Sequence, residues 1–306
     1  MSLKITFLGT AGSVPTIERS LPAIAVQREG ELILFDCGEG TQRQMMKAKI
    51  GLSRNMRVLI THMHGDHVLG LPGLLQTMSL LERNKPLHIY GPKGIEAYFK
   101  AMMETVRFSL SFPVNVTEIW QDGLVFQEDD YQIHAIQAEH SIPSFAYALI
   151  EKQRPGKFYP EKARALGVPK GPLWSRLQRG HEVEFPNGRI VRPRDVLGPP
   201  RNGRKIVYSG DTRPSDKIVQ IAKSADLLIH EATFSQDLAE RAKEDGHSTP
   251  IEAAVIAKKA EVKLLVLTHI SARYSDPEVL LDEAKMEFPR VVVAEDLMNI
   301  EVPLTD

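Results

Sequence analysis

The stretch Val58-Leu59-Ile60-Thr61-His62-Met63-His64-Gly65-Asp66-His67 is the strongest indication of the fold, because it joins an apolar run to a dense group of polar side chains. Three histidines and one carboxylate fall within six residues. His62 and His64 are two residues apart, so a nearly extended segment aims both at one point, whereas the neighbours Asp66 and His67 diverge toward a second. Nitrogen and oxygen ligands of this kind suit zinc. The stretch therefore predicts two adjacent metal ions at the end of a strand.

A simpler interpretation treats these residues as a polar turn that opens a helix, with Asp66 as the capping residue. The apolar periodicity does predict a helix over 67–82, so a cap near its start is reasonable. Four ligand-type side chains among six residues are nevertheless more than a cap requires. The density of the motif favours the metal site.

Three further ligand-type residues follow apolar runs later in the chain. Each comes shortly after a predicted strand: His140 after 131–138, Asp211 after 205–209 and His269 after 263–268. His62 has the same context, after a strand predicted at 57–61. A single histidine after a strand is more often structural, but loops at the carboxyl ends of strands in layered α/β folds converge on a site. We therefore expect these residues to meet.

The composition is that of a globular domain. The chain has 306 residues, 42% of them hydrophobic, and layered α/β folds reach this length as a single domain. No apolar run approaches the roughly 18 residues of a membrane span, and the first residues enter a strand pattern at once, so we expect no signal peptide. The single cysteine, Cys37, excludes an intrachain disulfide and favours the cytoplasm; its place after an apolar strand indicates a packed thiol.

The segment 151–204 differs from the rest of the chain in charge. It carries thirteen Lys and Arg against five Asp and Glu, a net charge of +8, whereas the remainder carries 25 against 34, a net charge of −9. Its eight prolines and seven glycines leave no room for a long regular element. A charge run is usually a solvated face, but a cationic segment on an anionic body better suits a polyanionic partner, because binding to phosphates releases counterions.

The ligand residues resemble the five sequence motifs of the metallo-β-lactamase superfamily. Within it, the chain is similar to the ribonuclease Z family, endonucleases that trim the 3′ end of precursor tRNA. The motifs that point to this family lie outside the metal-binding stretch: Phe7-Leu8-Gly9-Thr10 with Pro15, Phe35-Asp36-Cys37-Gly38-Glu39-Gly40-Thr41-Gln42, Ser209-Gly210-Asp211-Thr212-Arg213, His230-Glu231-Ala232-Thr233 and His247-Ser248-Thr249. The match covers nearly the whole chain, in the family's order.

The resemblance implies a single metallo-β-lactamase domain over residues 1–306, an α/β fold in which two mixed sheets form an αββα sandwich flanked by helices. The segment 151–204 would be its inserted, flexible tRNA-binding arm. Phosphate contacts would come from basic residues of this arm: Lys162, Arg164, Lys170, Arg176 and Arg179. Short members of the family work as homodimers, so the resemblance also implies a cytoplasmic homodimer that acts on precursor tRNA, away from any membrane.

The resemblance assigns two zinc ions per subunit to seven ligands. His62, His64 and His140 would hold one ion and Asp66, His67 and His269 the other, with Asp211 between them. Asp66 would also orient or deprotonate the attacking water, and His247, oriented by Glu231, would protonate the ribose 3′ oxygen that leaves. The products would be a tRNA with a 3′-hydroxyl and a trailer with a 5′-phosphate.

Two other classes of function remain open from the sequence. A small-molecule hydrolase of the same superfamily, a phosphodiesterase or a thioesterase, would use the same metal ligands, but a small substrate does not need the basic segment. A non-enzymatic RNA-binding protein would keep that segment, but a decayed site would not retain all seven ligand positions.

Overall fold

The computed structural model describes residues 2–304, which fold into two compact units. The larger unit contains the chain up to Ile150 and the residues Lys205–Pro303, and the smaller one is built from Glu151–Arg204. The smaller unit consists of the basic segment of the sequence, whose net charge is +8, together with Leu304.

Two seven-stranded sheets form the frame of the larger unit. In spatial order, the strands of the first sheet are Asn299–Glu301, Leu3–Gly9, Ala23–Arg28, Glu31–Phe35, Asn55–Leu59, Leu87–Pro92 and Val114–Ile119. Those of the second sheet are Val291–Val293, Leu265–Thr268, Leu227–Glu231, Lys205–Tyr208, Ser144–Glu151, Tyr131–Ala138 and Gly123–Gln127. Both sheets are mixed, because each combines a run of parallel strands with antiparallel neighbours.

Side chains that alternate along the strands bury both faces of the sheets. In the strand Leu265–Thr268, Val266 packs into the layer between the two sheets, whereas Leu265 and Leu267 pack into the layer outside the second sheet. Successive side chains of a strand point to opposite faces, so a strand covered on both sides is apolar at every position.

Helices cover the outer faces of both sheets. Against the first sheet lie Thr41–Lys47, Leu71–Leu80 and Ile95–Thr105, and against the second lie Asp216–Ala222, Pro250–Lys259 and Glu278–Glu287. Two further helices are Gly65–Val68, which contains Asp66 and His67, and Ala239–Asp245, which ends shortly before His247. The larger unit is therefore an αββα sandwich, and the predicted fold class is confirmed.

The helix predicted over 67–82 is interrupted. It forms instead as Gly65–Val68 and Leu71–Leu80. At the break, the amide of Gly70 donates to the carbonyl of Cys37 at 2.8 Å, so this part of the backbone is held by the loop that follows a strand of the first sheet. The apolar periodicity continues across the break because both helices bury side chains on the same side of that sheet.

The smaller unit has a hydrophobic cluster of its own. Its helices are Pro160–Ala165, Pro172–Gln178 and Pro193–Val196, and its strands Val183–Glu184 and Ile190–Val191 pair antiparallel. Buried side chains from these elements, including Ala163, Leu177 and Val196, pack together. The longest of its helices spans seven residues, which agrees with the proline and glycine content of the segment.

Two expectations from the composition can be compared with the structure. No helix in residues 2–304 is long and apolar enough to cross a membrane. Cys37 is buried in the layer outside the first sheet, and burial raises the pKa of its thiol to about 12. A thiol in this state is a packing group rather than a nucleophile.

Candidate metal centre

The loops that follow four strands bring the seven predicted ligands into one cluster. The strands end at Leu59, Ala138, Tyr208 and Thr268, and a ligand residue follows each end within three positions: His62, His140, Asp211 and His269. Of the remaining three predicted ligands, His64 lies in the same loop, and Asp66 and His67 lie in the helix Gly65–Val68 that follows it. The expectation that these residues meet at the ends of strands is confirmed by the distances between them.

His62, His64 and His140 form the first group of the cluster. Nε2 of His62 lies 3.1 Å from Nδ1 of His64, and Nε2 of His140 lies 3.2 Å from the same atom. A tetrahedral zinc ion with bonds of about 2.0–2.1 Å separates its ligand atoms by roughly 3.3 Å. The three nitrogens therefore have the spacing of ligands around one ion.

Asp66, His67 and His269 form the second group. Nε2 of His67 lies 3.4 Å from Nε2 of His269 and 3.5 Å from Oδ2 of Asp66, and the last two atoms are 3.4 Å apart. The interpretation of Asp66 as a helix cap is wrong, because the helix Gly65–Val68 has no side-chain cap. Its carboxylate instead accepts a hydrogen bond from the amide of Ser13 at 2.9 Å.

Asp211 lies between the two groups. Its Oδ2 is 3.6 Å from Nε2 of His62, 3.4 Å from Nε2 of His67 and 3.2 Å from Nε2 of His269. Burial opposes the charge, but these histidines hold the pKa of Asp211 well below its usual range. Its Oδ1 is buried and has no hydrogen-bond partner among residues 2–304. A buried carboxylate oxygen in this state is costly unless a cation faces it.

Four of the histidines have their second ring nitrogen held by a group outside the cluster. The contacts are His62 Nδ1 to Thr61 Oγ1 at 3.0 Å, His67 Nδ1 to Asp36 Oδ2 at 2.8 Å, His140 Nδ1 to the carbonyl of Gly246 at 2.8 Å and His269 Nδ1 to Thr233 Oγ1 at 2.8 Å. Such contacts select the tautomer and orient the ring of a ligating histidine. The donor set, its spacing and the oxygen of Asp211 without a partner all fit two metal ions.

Asp36 is the centre of this outer layer, although the sequence analysis gave it no role. Its Oδ1 accepts from the amide of Thr61 at 2.7 Å, and its Oδ2 accepts from the hydroxyl of Tyr208 at 2.9 Å and from Nδ1 of His67 at 2.8 Å. Asp36 directly follows the strand Glu31–Phe35. A polar residue just after a strand is the same sequence signal that identified the ligands, so this signal could also have identified Asp36.

Replacement of Asp36 by asparagine is expected to weaken zinc binding by about 10- to 100-fold, the usual cost of losing a partner behind a ligand. The amide nitrogen of asparagine would face groups that donate, so at least one of the hydrogen bonds of Asp36 is lost. Competition with a chelator measures the affinity. Tyr208→Phe removes one donor but keeps the carboxylate, and we expect a smaller loss for it. Zinc affinity of Asp36→Asn within about two-fold of the unchanged protein would contradict this role.

His247 and Glu231 approach the cluster from two other motifs. Nδ1 of His247 donates to Oε1 of Glu231 at 2.9 Å, and both side chains are buried. Burial alone would lower the pKa of His247, but Glu231 raises it to about 9. Because Nδ1 is engaged by the carboxylate, Nε2 is the nitrogen that remains for proton exchange with a substrate.

Thr233 joins this pair to the second ligand group. Its hydroxyl donates to Oε2 of Glu231 at 2.7 Å and accepts from Nδ1 of His269 at 2.8 Å. One hydroxyl therefore orients both the carboxylate behind His247 and the ring of His269. Thr233 stands in the motif His230-Glu231-Ala232-Thr233, but the sequence alone did not assign it a role.

Two glycines allow the backbone to approach the histidines. A Cβ atom on Gly12 would lie 2.8 Å from Nδ1 of His269, and one on Gly246 would lie 2.9 Å from Nδ1 of His140. Gly246 also has a φ of +80° at the end of the helix Ala239–Asp245, a conformation that favours glycine. Larger residues at either position would displace a histidine ring.

The five basic residues predicted to bind RNA lie in the smaller unit, and all are exposed: Lys162, Arg164, Lys170, Arg176 and Arg179. None of them forms an ion pair with a carboxylate in the part of the chain from residue 2 to 304. The side chain of Lys162 lies over the ring of Tyr159 at 4.6 Å, and that of Arg164 over the ring of Trp174 at 5.5 Å. Within residues 2–304, these cations are therefore not paired with a carboxylate.

Two family models match parts of the chain. Residues 195–270 match the model of the beta-lactamase superfamily domain, and residues 3–154 match the model of the anti-Pycsar protein Apyc1. The two matches together include every predicted metal ligand.

Relatives that match over the full length identify the family more specifically than these partial matches. Ribonuclease Z of Methanosarcina acetivorans is 51% identical over 302 residues, which cover 98% of each chain, and ribonuclease Z of Natronomonas pharaonis is 48% identical over 308 residues, which cover 100% of each. The chain belongs to the ribonuclease Z family. The resemblance inferred from the motifs is therefore confirmed.

Solved structures agree with this membership. The short form of human tRNase Z has a TM-score of 0.73 and 33% identity to this chain, and the match covers 98% of this chain and 99% of the human one. YhfI of Bacillus subtilis, a metallo-beta-lactamase fold protein, has a TM-score of 0.70 at 20% identity and shows the fold alone. Membership in the ribonuclease Z family, together with the histidine and aspartate cluster, implies a metal-dependent enzyme.

Proposed function

We propose that the chain is a zinc-dependent endoribonuclease that removes the 3′ trailer from precursor tRNA. The observation that carries this proposal is the cluster of seven ligand-type residues with His247 beside it, in a chain that is 51% identical to a ribonuclease Z over 98% of its length. The products are a tRNA with a 3′-hydroxyl and a trailer with a 5′-phosphate. We place the reaction in the cytoplasm, since a single buried cysteine suits a reducing compartment.

The ligand groups support two zinc ions per chain. In this proposal His62, His64 and His140 hold one ion, Asp66, His67 and His269 hold the other, and Asp211 lies between them. When bound, the ions polarise the phosphodiester and offset the negative charge that develops on it. Burial and the neighbouring His67 keep the pKa of His62 well below its usual value, so the ring is neutral, as a metal ligand must be.

In this proposal, Asp66 orients the attacking water and takes its proton. Burial opposes its charge, but His269 and His67 hold the pKa of Asp66 below its usual value, so the carboxylate is ionised and can accept a hydrogen bond from the water. As the oxygen of the water forms a bond to phosphorus, its proton passes to Asp66 and the bond from phosphorus to the ribose 3′ oxygen breaks. The phosphate remains on the trailer.

His247 serves the leaving group in this proposal. An alkoxide is a poor leaving group, so a proton delivered to the 3′ oxygen lowers the barrier. Glu231 orients the ring of His247 through the 2.9 Å contact to Nδ1, and Thr233 orients Glu231 in turn. The proton comes from Nε2, and the 3′ oxygen leaves as a hydroxyl.

The smaller unit supplies the affinity for a large polyanion. Its net charge of +8 and its five exposed basic side chains without ion pairs suit contacts to phosphates, which position an RNA without breaking bonds. A small phosphodiester or thioester gains nothing from such a surface, so the arm favours tRNA over the small-molecule alternative.

Replacement of Lys170, Arg176 and Arg179 together by glutamine is expected to weaken binding of precursor tRNA. Binding then releases fewer counterions, because fewer phosphates are neutralised. The slope of log affinity against log salt should therefore flatten by roughly one unit per lost contact. Filter binding over a range of salt concentrations measures the slope. Substitution is preferable to deletion, since a deletion would break the hydrophobic cluster of this unit.

The matched control replaces three exposed lysines of the larger unit, Lys100, Lys258 and Lys285, by glutamine. It removes the same charge from outside the arm and should leave the slope unchanged. Equal slopes for the two triple variants would remove the support for the arm as the RNA-binding surface.

We also infer a homodimer, as the sequence resemblance implies. Four large apolar side chains on or next to the helices that cover the first sheet are more than half exposed: Met46, Leu69, Leu80 and Leu81. Burial of such groups against a second copy would stabilise a dimer. Light scattering of the purified protein tests this directly, and a mass of about one chain across the working concentrations would exclude it.

One assay tests the proposed function. The purified protein is incubated with precursor tRNA and, separately, with bis(p-nitrophenyl) phosphate, and its zinc content is measured. We expect one cut at the 3′ end of the tRNA, a 3′-hydroxyl and a 5′-phosphate at the new ends, and two zinc ions per chain. Hydrolysis of the small ester without any cleavage of precursor tRNA would instead support the small-molecule phosphodiesterase.

A further inference from the structure

Two cavities of the larger unit adjoin the metal cluster. One has a volume of about 780 Å³ and is lined by His247 and Arg273, among others. The other has a volume of about 510 Å³ and is lined by His140 and Trp120, among others. Ser141 lines both, so the two cavities adjoin each other at this residue. Both are large enough for a small ligand or a nucleotide.

The smaller of these cavities presents an indole and an ammonium group that lies over the ring. Trp120 is 62% exposed, and Nζ of Lys93 lies 5.7 Å from the centroid of its ring. Lys93 forms no ion pair with any carboxylate of residues 2–304, so its charge is available to a ligand. The apolar side chains of Ile119, Ile142 and Pro143 form another part of the wall. A flat aromatic face next to a free cation is the arrangement that binds single-stranded nucleic acid, because bases stack on the ring and phosphates meet the cation.

The position of His247 decides which part of an RNA each cavity faces. In the proposed reaction His247 protonates the 3′ oxygen of the mature tRNA, so the cavity lined by His247 lies on the tRNA side of the broken bond. The phosphate stays on the trailer, which therefore continues away from His247. The cavity beside His140 lies across Ser141 and next to the first ligand group.

The chemistry of this second cavity also suits a trailer. Stacking on an indole depends little on the identity of the base, since every base has an aromatic face. An enzyme that removes trailers from different precursors needs such tolerance at the nucleotide after the cut. Specific recognition would instead require polar groups directed at base edges.

We propose that the cavity lined by Trp120 binds the first nucleotide of the trailer, with its base against the indole and a trailer phosphate beside Lys93. The inference rests on the proposed function and extends it to the substrate on the 3′ side of the cut. Trp120 and Lys93 are binding residues in this assignment, and neither takes part in breaking the bond.

A pair of substrates tests the stacking contact. They are precursor tRNAs that differ only in the first trailer nucleotide, a uridine in one and an abasic ribose in the other. The unchanged enzyme should show a kcat/KM on the order of ten-fold lower for the abasic substrate. Trp120→Ala should lose a similar factor on the uridine substrate and should no longer distinguish the two. Trp120→Phe keeps an aromatic face and should restore most of the difference.

The lysine is tested with a matched pair of variants. Lys93→Met should weaken the binding of precursor tRNA and reduce its dependence on salt, whereas Lys100→Met removes an exposed lysine from the following helix and should match the unchanged protein. Equal behaviour of the two variants would overturn the assignment of Lys93.

Fluorescence gives a readout that does not depend on catalysis. The chain has two tryptophans, so in a Trp174→Phe variant the emission comes from Trp120 alone. Titration with the product, a short trailer with a 5′-phosphate, should quench this emission in a saturable way. The same oligonucleotide with an abasic first residue should quench it less and bind more weakly.

The outcomes separate the two proposals. If the unchanged protein does not cut precursor tRNA, the proposed function fails. If it cuts, but Trp120→Ala still distinguishes the two substrates and the product leaves the emission unchanged, the cavity does not hold the trailer. If Trp120→Ala instead abolishes the effect of removing the base on the tRNA side of the cut, the cavity holds the end of the tRNA, and the RNA runs in the opposite direction through the site.

Discussion

His64→Ala and Asp211→Ala are each expected to abolish cleavage of precursor tRNA. Nδ1 of His64 lies within 3.2 Å of Nε2 of both His62 and His140. Loss of the His64 side chain therefore removes the nitrogen that is close to both other members of the first group. The carboxylate of Asp211 lies close to histidines of both groups, so in the proposed assignment its loss would affect both ions. Zinc content by elemental analysis and single-turnover cleavage of precursor tRNA measure the two effects.

A histidine outside the cluster provides the control for these variants. His88→Ala, in the strand Leu87–Pro92, should keep both the zinc content and the cleavage rate. The circular dichroism of His64→Ala should match that of the unchanged protein, since His64 is partly exposed and its removal leaves no large cavity. Activity above about a tenth of the original in either ligand variant, the loss expected from a residue behind a ligand, would argue against two metal ions held by these seven residues.

His247→Ala is expected to lower the rate of cleavage by about 10²- to 10⁴-fold while the zinc content stays the same. The structure supports this role because Nδ1 of His247 is held by Glu231, which leaves Nε2 for the leaving oxygen. Bis(p-nitrophenyl) phosphate provides an internal comparison. Its p-nitrophenolate needs no proton to leave, so the same variant should lose much less activity on this ester than on precursor tRNA.

A different outcome would change the assignment of His247. Its Nδ1 lies 4.0 Å from Oδ2 of Asp211, and His247, Asp211 and His269 could together surround an ion. Loss of zinc from His247→Ala would therefore identify it as a ligand and place the assignment of His269 in question. An equal loss of activity on both substrates would exclude protonation of the leaving group as its function.

The sequence by itself determined the local parts of the site. The stretch from His62 to His67 contains four of the seven predicted ligands. The strand over 131–138 forms with the bounds that its apolar periodicity predicts. The charge and the proline content of 151–204 likewise predicted a basic insert without long regular elements. Periodicity, charge and motif spacing depend on residues that are neighbours in the chain, so they can be read without coordinates.

Only the tertiary structure decided which distant groups touch. Nδ1 of His64 meets His140 across 76 positions of the chain, and the hydroxyl of Tyr208 meets Asp36 across 172. The role of Asp36 and the link that Thr233 makes between Glu231 and His269 follow from such contacts. The same holds for the cavity between His140 and Trp120. The packing of the two sheets sets the register and the distance of these side chains, and a pattern that repeats every two or four residues contains no information about either.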